Sequence, residues 1–451
     1  MKNRRQFLSA AGAVGAASIL AGSGGVRRSF AARDTEKLAI DGGTPVRKTP
    51  LGYQPYGPQY YNEVEKRELL EVLESRRPFR WWKSDSKSLQ FEKAYAAHIG
   101  VKHCLGVTSG TTALSAALAA LEVGPGDEVI LPAWTWYADY DTIVLAGALP
   151  VFAEVDTSLN IDPEDIEHRI TPRTKAIIAV SLQGCPADMD PIMSVARKHN
   201  VRVLEDFSQC VGGRYRGKYL GSIGDIGISS FQQSKTITAG EGGAIVTDDP
   251  ELFERAIRFH DCGSIRSPYS QELDGGKMEG FAASNFRMNE FTGAILKAQE
   301  QDLETICGAL RKNARKVREG IADLPGLKMR RTPDLEGDLG VTIFLDLGTR
   351  ERRDHFLRAL RAEGISASPP GGSVILPIDG RIEKKLTVHP AWPSFNTPEG
   401  KAIRYGKECC PRTIDIKGRE GGVIMDPNFT DDDLNDIIVA IRKVYAAIAP
   451  A

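Results

Sequence analysis

From about residue 91 the chain alternates short apolar runs with stretches of helical periodicity, and this alternation limits its fold more than any other feature. The apolar runs fall at 104–107, 128–131, 149–155, 176–180, 201–205, 226–230 and 244–247. Helical patterns lie between them at 112–121, 137–146, 163–168 and 189–199. Seven such strands predict an α/β fold with a mostly parallel sheet, covered by helices on both faces. In sheets of this kind chemistry collects at the carboxyl ends of the strands, on the loops that follow. A long helical pattern over 289–324 then leads into a smaller α+β region. Its strands are expected near 342–347 and 421–425, with a last helix over 430–447. Asp431, Asp432 and Asp433 suit the first turn of that helix, where negative charge meets the helix dipole. The expected organisation is an N-terminal arm over 32–90, a large domain over 91–300 and a small C-terminal domain over 301–451. Within the arm, 62–75 has helical periodicity.

The first 31 residues are a different kind of sequence. Lys2, Arg4 and Arg5 precede Phe7-Leu8 and an Ala/Gly-rich apolar stretch, and Ser29-Phe30-Ala31 is a small-x-small cleavage site. Basic head, apolar middle and cleavage site together read as a signal peptide, and the RRxFL run has the twin-arginine layout. A plain Ala/Gly tail is the blander alternative. The stretch is short and broken by glycines, unlike a spanning helix. Export is therefore the expectation, with a cytoplasmic location if the leader is not used.

Charge and cysteine usage exclude several classes. With 58 basic and 59 acidic residues the net charge is -1, which gives no electrostatic footprint for nucleic acid. The seven cysteines, at 104, 185, 210, 262, 307, 409 and 410, have no CxxC spacing. Neither a disulfide framework nor a zinc site is expected, and the histidines show no metal spacing either.

The stretch that carries chemistry is Ser229-Ser230-Phe231-Gln232-Gln233-Ser234-Lys235, followed by Gly240-Glu241-Gly242-Gly243. A strand ends, a lysine follows on a loop, and a glycine cluster closes it. Taken alone, Lys235 reads as a solvated residue before a turn. Three neighbours argue otherwise. The apolar run at 201–205 delivers Asp206 at a strand's carboxyl end, with Gln209 three residues on. A carboxylate there can hold a pyridine nitrogen protonated, and a partly buried lysine can attach pyridoxal 5′-phosphate and later move protons. The same Asp could be a plain turn or cap residue. Ser109-Gly110-Thr111-Thr112 joins a strand to an Ala-rich helix, so its free N–H groups and the Thr111 hydroxyl make an anion site. By itself it is an ordinary helix cap. Trp134-Thr135-Trp136 follows another strand, and one of the two indoles can stack on a ring while the other fills the core.

In order and spacing these pieces resemble the DegT/DnrJ/EryC1/StrS aminotransferases. The matching motifs are SGTxAL (109–114), GPGDEVxxP (124–132), WTW (134–136), PADMDP (186–191), EDxxQ (205–209), FxxxK with GEGG (231–243) and NxRMxE (285–290). The resemblance runs from about residue 38 to the C-terminal helix. It implies the fold-type I architecture of pyridoxal phosphate enzymes and amino transfer from glutamate or glutamine to the ketone of a sugar or cyclitol. It implies that Lys235 holds the cofactor as a Schiff base, Asp206 pairs with its ring nitrogen and Gln209 with its ring oxygen. Gly110, Thr111 and Ser230 would hold the phosphate, Trp136 would stack on the ring, and Asn285 would reach the phosphate of a neighbouring subunit in a homodimer. Arg287 would lie near that interface and meet a donor carboxylate. The run 38–45 resembles the opening of the cyclitol-aminating and aminohydroxybenzoate-forming branches.

Two departures stand out. Ser208-Gln209 occupies a place where a small residue with Gln or His is usual. The leader is the larger one, since typical members act in the cytoplasm on nucleotide-linked sugars. Dehydratases of the same family carry His where this chain has Lys235. The competing readings are a lyase or dehydratase on the same fold, and a cofactor-binding sensor without turnover. Arg80-Trp81-Trp82 is left open between lining a substrate pocket and packing the arm.

Overall fold

The computed structural model describes residues 37–52, 55–82 and 85–448, so the leader over 1–31 lies outside the described residues. Seven strands form the large sheet: β1 His103–Val107, β2 Glu128–Pro132, β3 Leu149–Ala153, β4 Thr174–Val180, β5 Arg202–Asp206, β6 Ile226–Ser230 and β7 Gly243–Thr247. Their order is β1-β7-β6-β5-β4-β2-β3. Neighbours from β6 to β3 pair in parallel, and β7 runs antiparallel to both β6 and β1. The strands are short Val/Ile/Leu-rich runs, buried on both faces as a helix-covered sheet requires. All seven fall at the positions expected from the apolar runs. Six of the seven have an end that moves by one or two residues: pairing extends past the apolar run in most of them, while the run at 149–155 stops pairing at Ala153.

Helix starts follow cap chemistry more closely than apolar periodicity does. The helix Gly110–Ala120 begins two residues earlier than expected, because Ser109 Oγ accepts the Thr112 N–H at 3.1 Å and Thr112 Oγ1 accepts the Ser109 N–H at 2.9 Å. Asn62 caps Glu63–Ser75 in the same reciprocal way with Glu65. The long pattern over 289–324 divides into Glu290–Gln299, a 3-10 turn at Glu300–Asp302, and Leu303–Ile321. A 3-10 turn keeps apolar residues three apart, so periodicity alone does not show the break. The first of these helices packs on the arm-side helices Glu63–Ser75 and Lys87–Ile99, and the second on the C-terminal helix Asp431–Ile448.

The smaller sheet is antiparallel: Lys328–Met329, Thr342–Asp346, Glu420–Ile424 and Ala367–Ser368, in that order. Between its last two strands in the sequence lies a segment that periodicity did not reveal. Val374–Ile375 pairs antiparallel with Trp134–Thr135, and Leu376 N–H donates to Ala133 O at 2.8 Å. Short helical turns at Gly380–Glu383, Pro393–Asn396 and Pro398–Ala402 follow. These pieces are too short to show a period, yet they bring the C-terminal third of the chain onto the loop that ends β2.

The Arg80-Trp81-Trp82 run packs the arm rather than lining a pocket for two of its three residues. The Arg80 side chain is fully buried, with Nη2 2.5 Å from Glu92 and 2.7 Å from Tyr269 OH, and Nη1 2.8 Å from Gly106 O. The Trp81 ring packs edge-on against Tyr269 and His260, while Trp82 is largely exposed. Burial beside Arg80 and Arg287 pushes His260 down to about 3, so it is a neutral structural histidine. No group of His, Cys, Asp and Glu able to hold a metal ion occurs among the described residues.

Candidate functional site

Asp206 is the last residue of β5, the middle strand of the large sheet. Side chains alternate along a strand, so Glu205 and Asp206 face opposite ways. Glu205 is spent on structure: it accepts N–H bonds from Gly221 at 2.9 Å, Ile223 at 2.7 Å and Gly224 at 2.6 Å, which fix the turn before β6. Asp206 accepts one, from Ser208 N–H at 2.8 Å, and is left to interact with the Lys235 amine.

Lys235 sits on the loop between β6 and β7, which is clasped at its base. Phe231 N–H donates to Gly242 O at 2.9 Å, Ala239 N–H to Phe231 O at 3.1 Å and Thr238 Oγ1 to Phe231 O at 2.9 Å. Gly240 supports the turn with φ +82°, in the left-handed region that favours glycine. The arm closes over this loop: Tyr61 OH donates to Thr238 O at 3.0 Å, and a Cβ on Gly57 would stand 2.9 Å from Lys235 O. Burial lowers the pKa of the Lys235 amine, opposed by the charges of Asp206 and Asp139. An amine held that way gives up its proton more readily than a surface lysine and can act as nucleophile and base.

A cradle for an anion lies beside the lysine. The N-terminus of Gly110–Ala120 meets the end of β6, so closely that a Cβ on Gly110 would fall 2.6 Å from Ser230 Cβ. The Ser109 cap takes the Thr112 N–H, and the amides of Gly110 and Thr111 precede the first intrahelical bonds. Those amides, the Thr111 hydroxyl and Ser230 Oγ form a phosphate-sized set of donors with the positive end of a helix behind it. Gly243 keeps the cradle tight, since a Cβ there would lie 2.4 Å from Ser109 O.

The two tryptophans divide as the strand geometry requires. Trp134 is fully buried, with the Lys417 ammonium 4.5 Å from its ring centroid. Trp136 caps the helix Tyr137–Leu145 with 53% of its surface exposed, which leaves an indole face for a flat ligand. Gln209 is held by its neighbours: Gln183 Nε2 donates to its Oε1 at 3.2 Å, and its own Nε2 donates to Ser373 Oγ at 3.0 Å and Gly372 O at 3.3 Å. The segment that periodicity missed therefore reaches the site through Gly372 and Ser373. Gln183 adopts φ +54° at the end of β4, a conformation that side chains rarely take and that clusters at functional sites.

Asn285 stands apart from these residues. It is exposed, on an extended stretch whose Phe286 O accepts the Thr108 N–H at 3.0 Å along the end of β1. Arg287 is bound to the fully buried Asp261, which also pairs with Arg266 at 2.7 Å. Sequence reasoning missed one titratable residue altogether. Asp139, in the first turn of Tyr137–Leu145, is 1% exposed and faces both Asp206 and Lys235. Its only sequence signal is its place three residues after Trp136. The set fits pyridoxal phosphate: an amine, a carboxylate at the central strand end, an anion cradle and an open aromatic face.

A profile of the DegT/DnrJ/EryC1/StrS aminotransferase family matches residues 60–370. The spore coat polysaccharide biosynthesis protein SpsC of Bacillus subtilis is 31% identical over 398 residues, covering 87% of this chain and 97% of that protein. An L-glutamine:2-deoxy-scyllo-inosose aminotransferase of Streptoalloteichus tenebrarius is 37% identical over 309 residues, covering 65% of this chain and 70% of that one. Among solved structures, 3-amino-5-hydroxybenzoic acid synthase superposes with a TM-score of 0.73 at 29% identity, covering 89% of this chain and 100% of the other.

Proposed function

Since this chain belongs to the DegT/DnrJ/EryC1/StrS aminotransferase family and is a pyridoxal phosphate-dependent aminotransferase, we propose that it moves an amino group from glutamate or glutamine to the ketone of a keto-sugar or keto-cyclitol. The observation that carries this reading is Lys235, half-buried on its loop, with its amine acted on by the charge of Asp206 at the end of the central strand. When bound, the cofactor supplies the electron sink and carries the amino group between the two substrates. Lys235 would hold it covalently and, once freed, would serve as the base for the donor's α proton. The same amine would carry a proton to the acceptor's carbon in the return half of the cycle. Asp206 would keep a proton on the ring nitrogen. The Gly110 and Thr111 amides with Ser230 would anchor the phosphate, Trp136 would hold the ring flat, and Gln209 would turn its Nε2 to the ring oxygen by giving up its bond to Gly372 O or Ser373 Oγ. The test is a half-reaction screen of holoprotein against amino acids and amino-sugars, following cofactor absorbance. Glutamate or glutamine is expected to convert the spectrum, and the nitrogen label to appear in a sugar or cyclitol amine. Release of ammonia without transfer would instead mark a lyase, and a spectrum that no donor changes would mark a sensor.

The site reading includes a second subunit, with Asn285 reaching the partner's phosphate. Its exposure on the extended stretch beside the end of β1 supports this. Lys235→Ala and Asn285→Ala proteins are each expected to be impaired. When remixed and allowed to exchange subunits, about a quarter of the sites would carry neither change, as two-fold symmetry requires. No recovery on mixing, with dimers shown to exchange, would place Asn285 outside the partner's site.

The leader reading adds export by the twin-arginine route. Fractionation is expected to find the protein outside the cytoplasm, and Arg4→Lys with Arg5→Lys to retain it inside. A cytoplasmic wild type would mean that the leader is not used. An exported enzyme meets free keto-sugars or cyclitols rather than nucleotide-linked ones, which narrows the acceptors worth screening first.

A further inference from the structure

Asp139 has no part in the chemistry described so far, yet its carboxyl interacts with that of Asp206. Thr135 Oγ1 donates to its Oδ2 at 2.5 Å, and Thr135 is itself fully buried. Its Oδ1 is buried and receives no hydrogen bond from any nitrogen or hydroxyl. The titratable groups that act on Asp139 are Asp206, within side-chain hydrogen-bonding range, and Lys235. A buried acceptor without a donor is costly, and so are two adjoining carboxylates in a dry site. A single proton on Oδ1 removes both costs, because Oδ1 then donates to Asp206.

The proton belongs on Asp139 rather than Asp206. Asp206 accepts the Ser208 N–H and is 7% exposed, whereas Asp139 has one hydroxyl donor and is 1% exposed. Burial and the charge of Asp206 hold the Asp139 carboxyl well above the usual carboxylate range. Resting on the assignment of Asp206 to the cofactor's ring nitrogen, we propose that Asp139 is a positioning residue: a neutral carboxylic acid that donates from Oδ1 to Asp206, aims it at the ring nitrogen and moderates its charge. Two features follow. Asp206 keeps one orientation although only a single backbone amide holds it. Its charge is shared between two donors, so the ring nitrogen is held protonated without an excess of negative charge that would raise the proton affinity of Lys235.

The isosteric variant Asp139→Asn decides between a neutral and an ionised Asp139. Asparagine can accept from Thr135 and donate from Nδ2 to Asp206. If Asp139 is neutral, the pH at which the bound cofactor's visible absorbance titrates is expected to move by less than about 0.3 unit in this variant, because no charge is lost. Asp139→Ala removes the donor, and there the titration is expected to shift upward and the cofactor to dissociate more readily. A downward shift of about one unit or more in Asp139→Asn would reveal a lost carboxylate and overturn the proposal. A second measurement needs no cofactor. The infrared difference between wild-type apoprotein and Asp139→Asn at pH 7 is expected to contain the C=O band of a protonated carboxylic acid, and its absence overturns the proposal as well. A protein that binds the cofactor but transfers no amine would sink the functional reading while leaving both measurements of Asp139 readable.

Discussion

Lys235→Ala is expected to abolish the visible absorbance of the bound cofactor and to lower amino transfer by more than about 10⁴-fold. Proton transfer by a positioned side chain contributes roughly 10²–10⁴-fold by itself, and the same amine also holds the cofactor covalently. No other amine lies on the loop, and its one carboxylate, Glu241, is exposed. Gln232, Gln233 and Ser234 carry no basic group, and Ser234 Oγ is engaged with Gln232 Oε1 at 2.7 Å. The site's carboxyls are acids and not amines, with Asp206 assigned to the ring and Asp139 fully buried. The fold should survive, because the loop is clasped by backbone bonds of Phe231, Ala239 and Gly242 and not by the lysine side chain. Absorbance spectra with and without glutamate, beside a thermal melt, check this. A yellow, donor-responsive Lys235→Ala protein would sink the assignment of the lysine.

The loss of colour and the loss of transfer are separable predictions. An added small amine can restore part of the proton transfer in a Lys235→Ala protein that binds the cofactor non-covalently, but it cannot restore the covalent hold. Partial rescue of rate without return of the original spectrum would therefore show that both roles belong to Lys235. The lowered proton affinity of the buried amine sets the expected sign: the free lysine is deprotonated, and competent as a base, at a lower pH than a surface lysine.

The large sheet was legible because parallel strands buried on both faces must be continuous apolar runs, and each such run became a strand. The residues at strand ends were legible for the same reason. Once β5 and β6 are located, Asp206 and Ser230 fall at their carboxyl ends, and Lys235 on the loop between β6 and β7. The two tryptophans could not be divided by their residue type or local pattern, since an indole suits both core and ring face, and the choice of Trp136 rested on the family resemblance. Only the fold shows Trp134 buried and Trp136 open. The stretch that includes Gly372, Ser373 and Val374–Ile375 was illegible because two-residue strands carry no period and its partners are more than 160 residues away. Asp139 was missed for a different reason. In the first turn of a helix an aspartate ordinarily stabilises the dipole from the surface, and nothing in the local sequence says that this one points inward at another carboxyl.

Asp206→Asn should be the second most damaging change, with the opposite spectral signature. The amide keeps the shape of the side chain, and it can still accept the Ser208 N–H now held at 2.8 Å. What it loses is the charge that keeps the ring nitrogen protonated. Both half-reactions depend on that charge, so both are expected to slow together by roughly 10²–10³-fold, the scale on which a preorganised electrostatic group contributes. Lys235 remains, so the cofactor stays covalently held and the protein stays coloured. The neighbouring carboxylate supplies the control. Glu205 points the other way, and its three N–H bonds to Gly221, Ile223 and Gly224 tie down a turn. Glu205→Gln removes one charged acceptor from that turn and is expected to destabilise the fold by about 1–3 kcal/mol while the holoprotein that remains folded transfers amine at a near-normal rate. Adjacent residues of one strand thus separate chemistry from stability. Single-turnover rates and denaturant midpoints for the two variants read the separation directly, and an Asp206→Asn protein within tenfold of the wild-type rate would remove Asp206 from the ring nitrogen.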